Sequence, residues 1–259
     1  MYLTASSLRD FLTCPEKFKL GHVLKLRKKV PKAILAFGTT VHYSIAKKFV
    51  EKIPAPETFK QIWSAEDETQ YEFSDGDSHE IFLIQGESLL REWENHPETV
   101  RLEDVTSVEQ SRYIEIAGQV PFYSTIDFTG ENGKLLLDWK TAVSRYPDHK
   151  AKLDLQLTAY TYVLAELERT PERVGFGVLI KKKVPEIQYL FSERNAEDLK
   201  NFEKLVLNVW EQVKSEKFFR VPGFHCSWCD FLPLCLEEPD AEEKFIVSSD
   251  RYLSDAEAD

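Results

Sequence analysis

The chain has 259 residues, 42% of them hydrophobic, and a formal net charge of −11 at pH 7. That length and apolar content suffice for one sizeable core, alone or with an insertion. No stretch approaches the length of a membrane span, and the opening MYLTASSLRDFL lacks a signal-peptide pattern, so a cytoplasmic protein without membrane contact is expected. The charge is uneven: residues 1–60 carry 12 Lys and Arg against 4 Asp and Glu, residues 61–110 carry 2 against 14, and residues 236–259 carry 2 against 9. A basic segment can contact phosphates even on an acidic protein, and Lys25, Arg27, Lys28 and Lys29 are its clearest piece; a solvated loop accounts for them equally well.

In chain order, Thr4 or Ser6 is placed to cap a first helix through Leu8, Phe11 and Leu12, ending near Cys14-Pro15. A second helix is expected after Gly38, through Val41, Ile45 and Phe49, with His42 in its first turn and Pro54 and Pro56 as its stop. The acidic stretch from 57 to about 100 has helical spacing at Ile81, Ile84, Leu89, Leu90 and Trp93, and reads as an insertion into the core. Strands are expected over roughly 104–117, 119–128 and 134–140, then a helix over 152–168. Strands at 174–180 and 186–191 follow, then an amphipathic helix at 196–217 and a Cys-rich segment. An acidic tail is expected over 239–259. Helices around such strands make an α/β protein, read as one domain over 1–238 with a helical insertion at about 52–103.

The chemistry concentrates on one hairpin. Asn132-Gly133 favours a two-residue type I′ turn, and counting outward from it puts Asp127 opposite Asp138. Two facing carboxylates repel, and a hard divalent cation such as Mg²⁺ is the natural compensation. Side chains alternate along a strand, so Lys140 shares a face with Asp138 while Trp139 points away. A metal site beside an ammonium group suits phosphate-ester hydrolysis. A salt-bridged, solvated hairpin is the alternative, and the apolar run Leu135-Leu136-Leu137 argues against it. Gln156 and Tyr160, four apart, share one helix face.

The cysteines fall three plus one: Cys226, Cys229 and Cys235 near the C-terminus and Cys14 near the N-terminus. In a cytosolic chain this suggests ligation more than disulfides, and the spacing alone leaves an iron–sulfur cluster, zinc and plain reduced thiols open.

Taken together, these motifs resemble the RecB-like branch of the PD-(D/E)XK nucleases that carry a [4Fe–4S] cluster, a group with CRISPR-associated exonucleases and the AddB nuclease domain. The resemblance covers most of the chain. It rests on Ser6 to Phe18 (S-x-L-x-x-F-x-x-C-P), Gly38 to His42, Thr125-Ile126-Asp127, Leu137 to Thr141, Gln156 to Tyr160 and the cysteine pattern. It implies a restriction-endonuclease-like mixed central sheet flanked by helices, with cluster-binding segments at 4–20 and 223–238. It implies that His42, Asp127, Asp138 and the Trp139 backbone carbonyl bind Mg²⁺ or Mn²⁺. Lys140 would orient or polarise the attacking water, and Gln156 and Tyr160 would support the scissile strand or the site. Cys14, Cys226, Cys229 and Cys235 would hold the cluster. Glu109 lies where some relatives carry an acidic residue. Ser124 and Trp139 depart from the family pattern, in strand packing more than in chemistry. The expected activity is a DNA exonuclease on single-stranded ends, in CRISPR adaptation or recombination and repair. Alternatives are a nuclease subunit working with a helicase or integrase partner, and a non-catalytic iron–sulfur DNA-binding module.

Overall fold

The computed structural model describes residues 1–248 apart from Arg101, Glu103, Glu168 and the Val100 side chain, so the end of the expected acidic tail lies outside the described residues. The chain opens with α1 (Ala5–Thr13) and the short α2 (Pro15–Phe18). Thr4 caps α1 as expected: its hydroxyl accepts the Ser7 N–H at 3.0 Å and Ser7 Oγ accepts the Thr4 N–H at 2.8 Å. After β1 (Leu26–Lys28) comes α3 (Ala33–Glu51), then α4 (Ala55–Trp63), α5 (His79–Asn95) and α6 (Pro97–Val100). Strands β2 (Val105–Ile116), β3 (Val120–Gly130) and β4 (Leu135–Ala142) follow. Helices α7 (Lys150–Leu153) and α8 (Leu155–Leu167) lead to β5 (Arg173–Ile180) and β6 (Glu186–Ser192). The long α9 (Ala196–Lys214), α10 (Leu232–Cys235) and β7 (Phe245–Val247) complete the described chain.

These elements form two compact units: one from Lys32–Arg112 and Ser124–Lys200, the other from Met1–Pro31, Tyr113–Tyr123 and the chain from Asn201. The sheet runs β2-β3-β4-β5-β6. β3 and β4 are antiparallel, β4 and β5 parallel, and β5 and β6 antiparallel, which is the mixed sheet expected. β4 is buried on both faces. Leu135, Leu137 and Trp139 join a core with α3, α4 and α5, while Leu136 joins Ile126, Phe176 and Val178 under α8. Near-continuous apolar sequence is what a strand with two covered faces requires.

Several expectations change. α3 starts at Ala33, so Gly38 lies inside it and His42 sits beyond its first turn. The stripe Ala33, Phe37, Val41, Ile45 is buried throughout, and burying Phe37 outweighs the roughly 1 kcal/mol that a helical glycine costs. The acidic 57–100 region, expected as an insertion, supplies core side chains: Phe59, Trp63, Phe82, Leu89, Leu90 and Trp93 share one cluster with Trp139. Ile81 and Ile84 face outward, because Phe82 and Gly86 take the inner positions. The helix expected over 152–168 is broken at Asp154, whose carboxylate accepts the Gln156 and Leu157 N–H groups and caps α8. Within the expected tail, Phe245 is buried and stacks on Phe231 at 5.6 Å, and β7 pairs with β1, where a loop was one reading. No helix among the described residues is long and apolar enough to cross a membrane.

Trp139, the large residue at a position expected to be smaller, has a physical explanation. Its ring meets Phe49, Phe128, Trp93 and Tyr189 at 5.5–6.3 Å between centroids. The room comes from Gly177, its partner on β5, where a Cβ would lie 2.2 Å from the indole. Gly177→Ala should therefore push the ring out of place and cost about 1–3 kcal/mol in urea unfolding. An unchanged midpoint would mean that the box has slack.

Candidate metal centre

The β3–β4 ladder runs in the predicted register, Gly130↔Leu135 to Phe128↔Leu137, and stops one step short of the two carboxylates. Ile126 and Phe128 are two apart yet join cores on opposite faces, so the pleat is interrupted at Asp127. There the Asp127 side chain takes over the ladder's role: Oδ2 accepts the Trp139 N–H at 2.8 Å. The same oxygen lies 3.3 Å from His42 Nδ1. His42 follows Val41, at the edge of the buried α3 stripe, and donates to the Trp139 backbone carbonyl.

Asp138 is completely buried. Among the described residues Oδ1 accepts no hydrogen bond, and Oδ2 faces its counter-charge, Lys140 Nζ, in an ion pair at 2.5 Å. Lys140 Nζ also donates to Gln156 Oε1 at 3.1 Å, and Gln156 Nε2 donates to the Tyr160 hydroxyl at 2.6 Å. The five residues expected to act together, Asp127, Asp138, Lys140, Gln156 and Tyr160, are thus brought to one place. The α7–α8 break matters here, because Asp154 fixes the first turn of α8 from which Gln156 projects.

Glu109 completes the group. Ser107 bonds Thr129 at 2.7 Å and Ser111 bonds Thr125 at 3.1 Å, so Glu109 falls level with Asp127 between them. Its φ of 48° is left-handed, an uncommon setting for a non-glycine residue and one that often accompanies function. Ligand atoms of His42, Glu109 and Asp127 lie within 4.8 Å of one another, the only such set of three or more among the described His, Cys, Asp and Glu residues. Counting outward from the Ala117-Gly118 turn puts Val108 opposite Asp127, one residue short of Glu109.

The charges are poorly compensated. Burial, with Glu109 nearby, pushes the Asp127 carboxyl up to about 7. Burial also pushes Asp138 to about 7, the Lys140 attraction opposing it and Asp127 adding to it. Glu109 is raised by desolvation and by Asp138, Tyr160 by burial and then Asp138, and His42 is lowered by burial. Hard carboxylate oxygens plus an imidazole, with Asp138 Oδ1 buried without a donor among the described residues, suit a divalent cation.

The other predicted residues lie elsewhere. Cys14, Cys226, Cys229 and Cys235 all belong to the smaller unit and are half-buried free thiols. The Val221 N–H donates to Cys14 Sγ at 3.5 Å, and the Cys229 sulfur accepts the Phe231 N–H. Cys229 and Cys235 each feel the Cys14 charge, but the sulfurs do not close to the spacing of a single-ion site. Lys25, Arg27, Lys28 and Lys29 lie in and beside β1, in the same unit, and the Arg27 guanidinium donates to the Gly21 and Leu26 carbonyls.

Without metal, the folded chain holds protons on Asp127 and Asp138 that the unfolded chain, with ordinary carboxyls near pH 4, releases. Both folded values are raised, so stability falls as pH rises from about 4 to about 7. In EDTA, Tm should drop between about pH 5 and pH 8. Asp138→Asn should raise the Tm at pH 8, and Mn²⁺ should raise that of the unmodified chain. A Tm that climbs with pH in EDTA would contradict the buried-charge account.

A protein-family model described as the PD-(D/E)XK nuclease superfamily matches residues 2–236. A solved structure from Eubacterium rectale, described as a "putative exonuclease", superposes with a TM-score of 0.57 at 13% identity, covering 99% of this chain and 93% of its own. A second, described as SSO0001, gives a TM-score of 0.43 at 14% identity, covering 90% and 85%. A search of curated proteins gives no match. With the family model spanning nearly the whole described chain over a mixed sheet that carries Asp127 and Asp138-Trp139-Lys140, the protein belongs to the PD-(D/E)XK nuclease superfamily, whose members hydrolyse phosphodiester bonds with divalent metals.

Proposed function

We propose that the chain is a metal-dependent deoxyribonuclease acting on single-stranded DNA ends as an exonuclease. The observation that carries this is the convergence of His42, Glu109 and Asp127 within 4.8 Å, beside a buried Asp138 ion-paired with Lys140. His42, Glu109, Asp127 and Asp138 would hold Mg²⁺ or Mn²⁺, with the Trp139 carbonyl at their edge. When bound, the cation supplies Lewis acidity and offsets charge that builds on the phosphoryl oxygens. Lys140 orients the attacking water through its ammonium, and the Gln156–Tyr160 pair holds Lys140 in place. Tyr160 stays protonated, since burial and the Asp138 charge raise its pKa, so it serves as a hydrogen-bonding support.

We further propose that Cys14, Cys226, Cys229 and Cys235 hold a structural [4Fe–4S] cluster. Four reduced thiols in one unit, two of them receiving backbone N–H groups, support this, because such hydrogen bonds are a usual feature around cluster sulfurs. A role as the nuclease subunit of a complex with a helicase or integrase, in CRISPR adaptation or in recombination, has one feature in its favour. Phe224 and Trp228, 80% and 59% exposed, pack edge to face at 4.5 Å among the cysteines.

Anaerobically purified protein should release nucleotides from end-labelled single-stranded DNA with Mn²⁺ but not with EDTA. Asp138→Ala and Lys140→Ala should each lower the rate at least about a hundredfold. The same preparation should contain iron and labile sulfide, lost in Cys14→Ser. No cleavage by cluster-loaded protein would rule out the stand-alone exonuclease. Iron-free protein of full stability would rule out the cluster.

A further inference from the structure

A second feature of the larger unit lies one aromatic ring away from Lys140. The segment after β4 and the turn between β5 and β6 are fastened together. Lys181 N–H donates to the Ala142 carbonyl at 2.7 Å, and Tyr146 and Gln188 exchange two hydrogen bonds of 2.9 Å. Glu186 takes both Arg145 and Lys182, the latter at 2.6 Å. The Tyr146 ring meets Phe176 at 5.8 Å, and the other neighbour of Phe176 is Lys140 itself, with Nζ 5.9 Å from the ring centre.

The ledge built this way carries Arg145, Lys150, Lys152, Lys182 and Lys183 against Asp148, Asp154 and Glu186, an excess of two positive charges on a chain whose net charge is −11, while the Lys181 ammonium lies over the Phe37 and Phe82 rings. Lys152 and Lys183 make no ion pair among the described residues. Between these cations stand three of the most exposed apolar side chains: Val143 and Leu153 at 74% and Val184 at 77%. Large apolar groups among cations are an unfavourable surface for water alone, but they match a polymer that offers phosphates and unstacked base faces together. A duplex hides its bases and matches less well.

We propose that this ledge, formed by the β4–α7 segment and the β5–β6 turn, is the track on which single-stranded DNA lies as it enters the metal centre. The assignment rests on the nuclease reading and gives that site its substrate form. Cations draw the backbone in, and Val143, Leu153 and Val184 support bases without reading their sequence. The basic run at Lys25–Lys29 is then not the principal contact.

The test is fluorescence anisotropy of a labelled single strand of about twenty nucleotides, in EDTA and across a salt series. Lys152→Glu/Lys183→Glu should weaken binding at least tenfold. It should also flatten the slope of log affinity against log salt by about 0.7 per lost cation. Val143→Ser/Val184→Ser should weaken binding with the slope unchanged, and Lys28→Glu/Lys29→Glu should have the smaller effect. Affinity and slope within twofold of wild type in the double reversal would overturn the assignment and leave the ledge to a protein partner. Equal affinity for duplex would overturn the single-strand form of it. Wild-type cleavage with Mn²⁺ separates the two ideas: binding through the ledge without cleavage would sink the nuclease reading alone, and cleavage with the reversal silent would sink the ledge alone.

Discussion

A buried pair of carboxylates facing one ammonium group is the constraint around which this molecule is arranged. Asp138 is fully buried beside a second carboxylate, and a single ammonium group faces it. Burying charge in this way is unfavourable unless it is paired and hydrogen-bonded, so the folded state without metal carries a cost that the rest of the fold must offset. The structure meets that cost by rigidity. β4 is held between an antiparallel and a parallel neighbour, and its apolar side chains pack into a core on each face. Natural proteins keep such destabilising groups where chemistry needs them.

Alternation along β4 turns that constraint into geometry. Asp138 and Lys140 project to one face, Trp139 to the other, where four aromatic rings and the missing Cβ of Gly177 hold it. Fixing the Trp139 backbone fixes both its neighbours in the site, because its N–H binds Asp127 and its carbonyl receives His42. One buried indole therefore sets the positions of groups from α3, β3 and β4 at once. Of the acidic helices, α5 reaches the same ring through Trp93, and α4 packs on α5 through Trp63 and Phe82.

Most of the site was legible in the sequence because it is local. The Asn132-Gly133 turn sets a register by counting, and period-two alternation separates Lys140 from Trp139. The four-residue spacing of Gln156 and Tyr160 survives any error in where the helix begins. What was not legible depends on tertiary packing. Gly38 looks like a helix boundary, and only the burial of Phe37 shows otherwise. Asp154 inside an apolar-periodic run looks like a surface residue, although as an N-cap it splits the helix and aims Gln156. Ile81 and Phe82 are both apolar neighbours, and nothing before assembly says which faces inward. Glu109 depends on a left-handed backbone within a strand, which no propensity favours. The ordering of Phe245–Val247 required a partner strand over two hundred residues away.

The metal centre is probed most directly by Mn²⁺ binding to metal-free protein, followed by loss of the free-ion electron paramagnetic resonance signal. Saturable binding is expected, weakened at least tenfold by Asp127→Asn and by Asp138→Asn and weakened also by Glu109→Gln. Binding that is undiminished in both aspartate variants would mean that the buried carboxylates do not hold the cation, and the metal centre described here would be wrong.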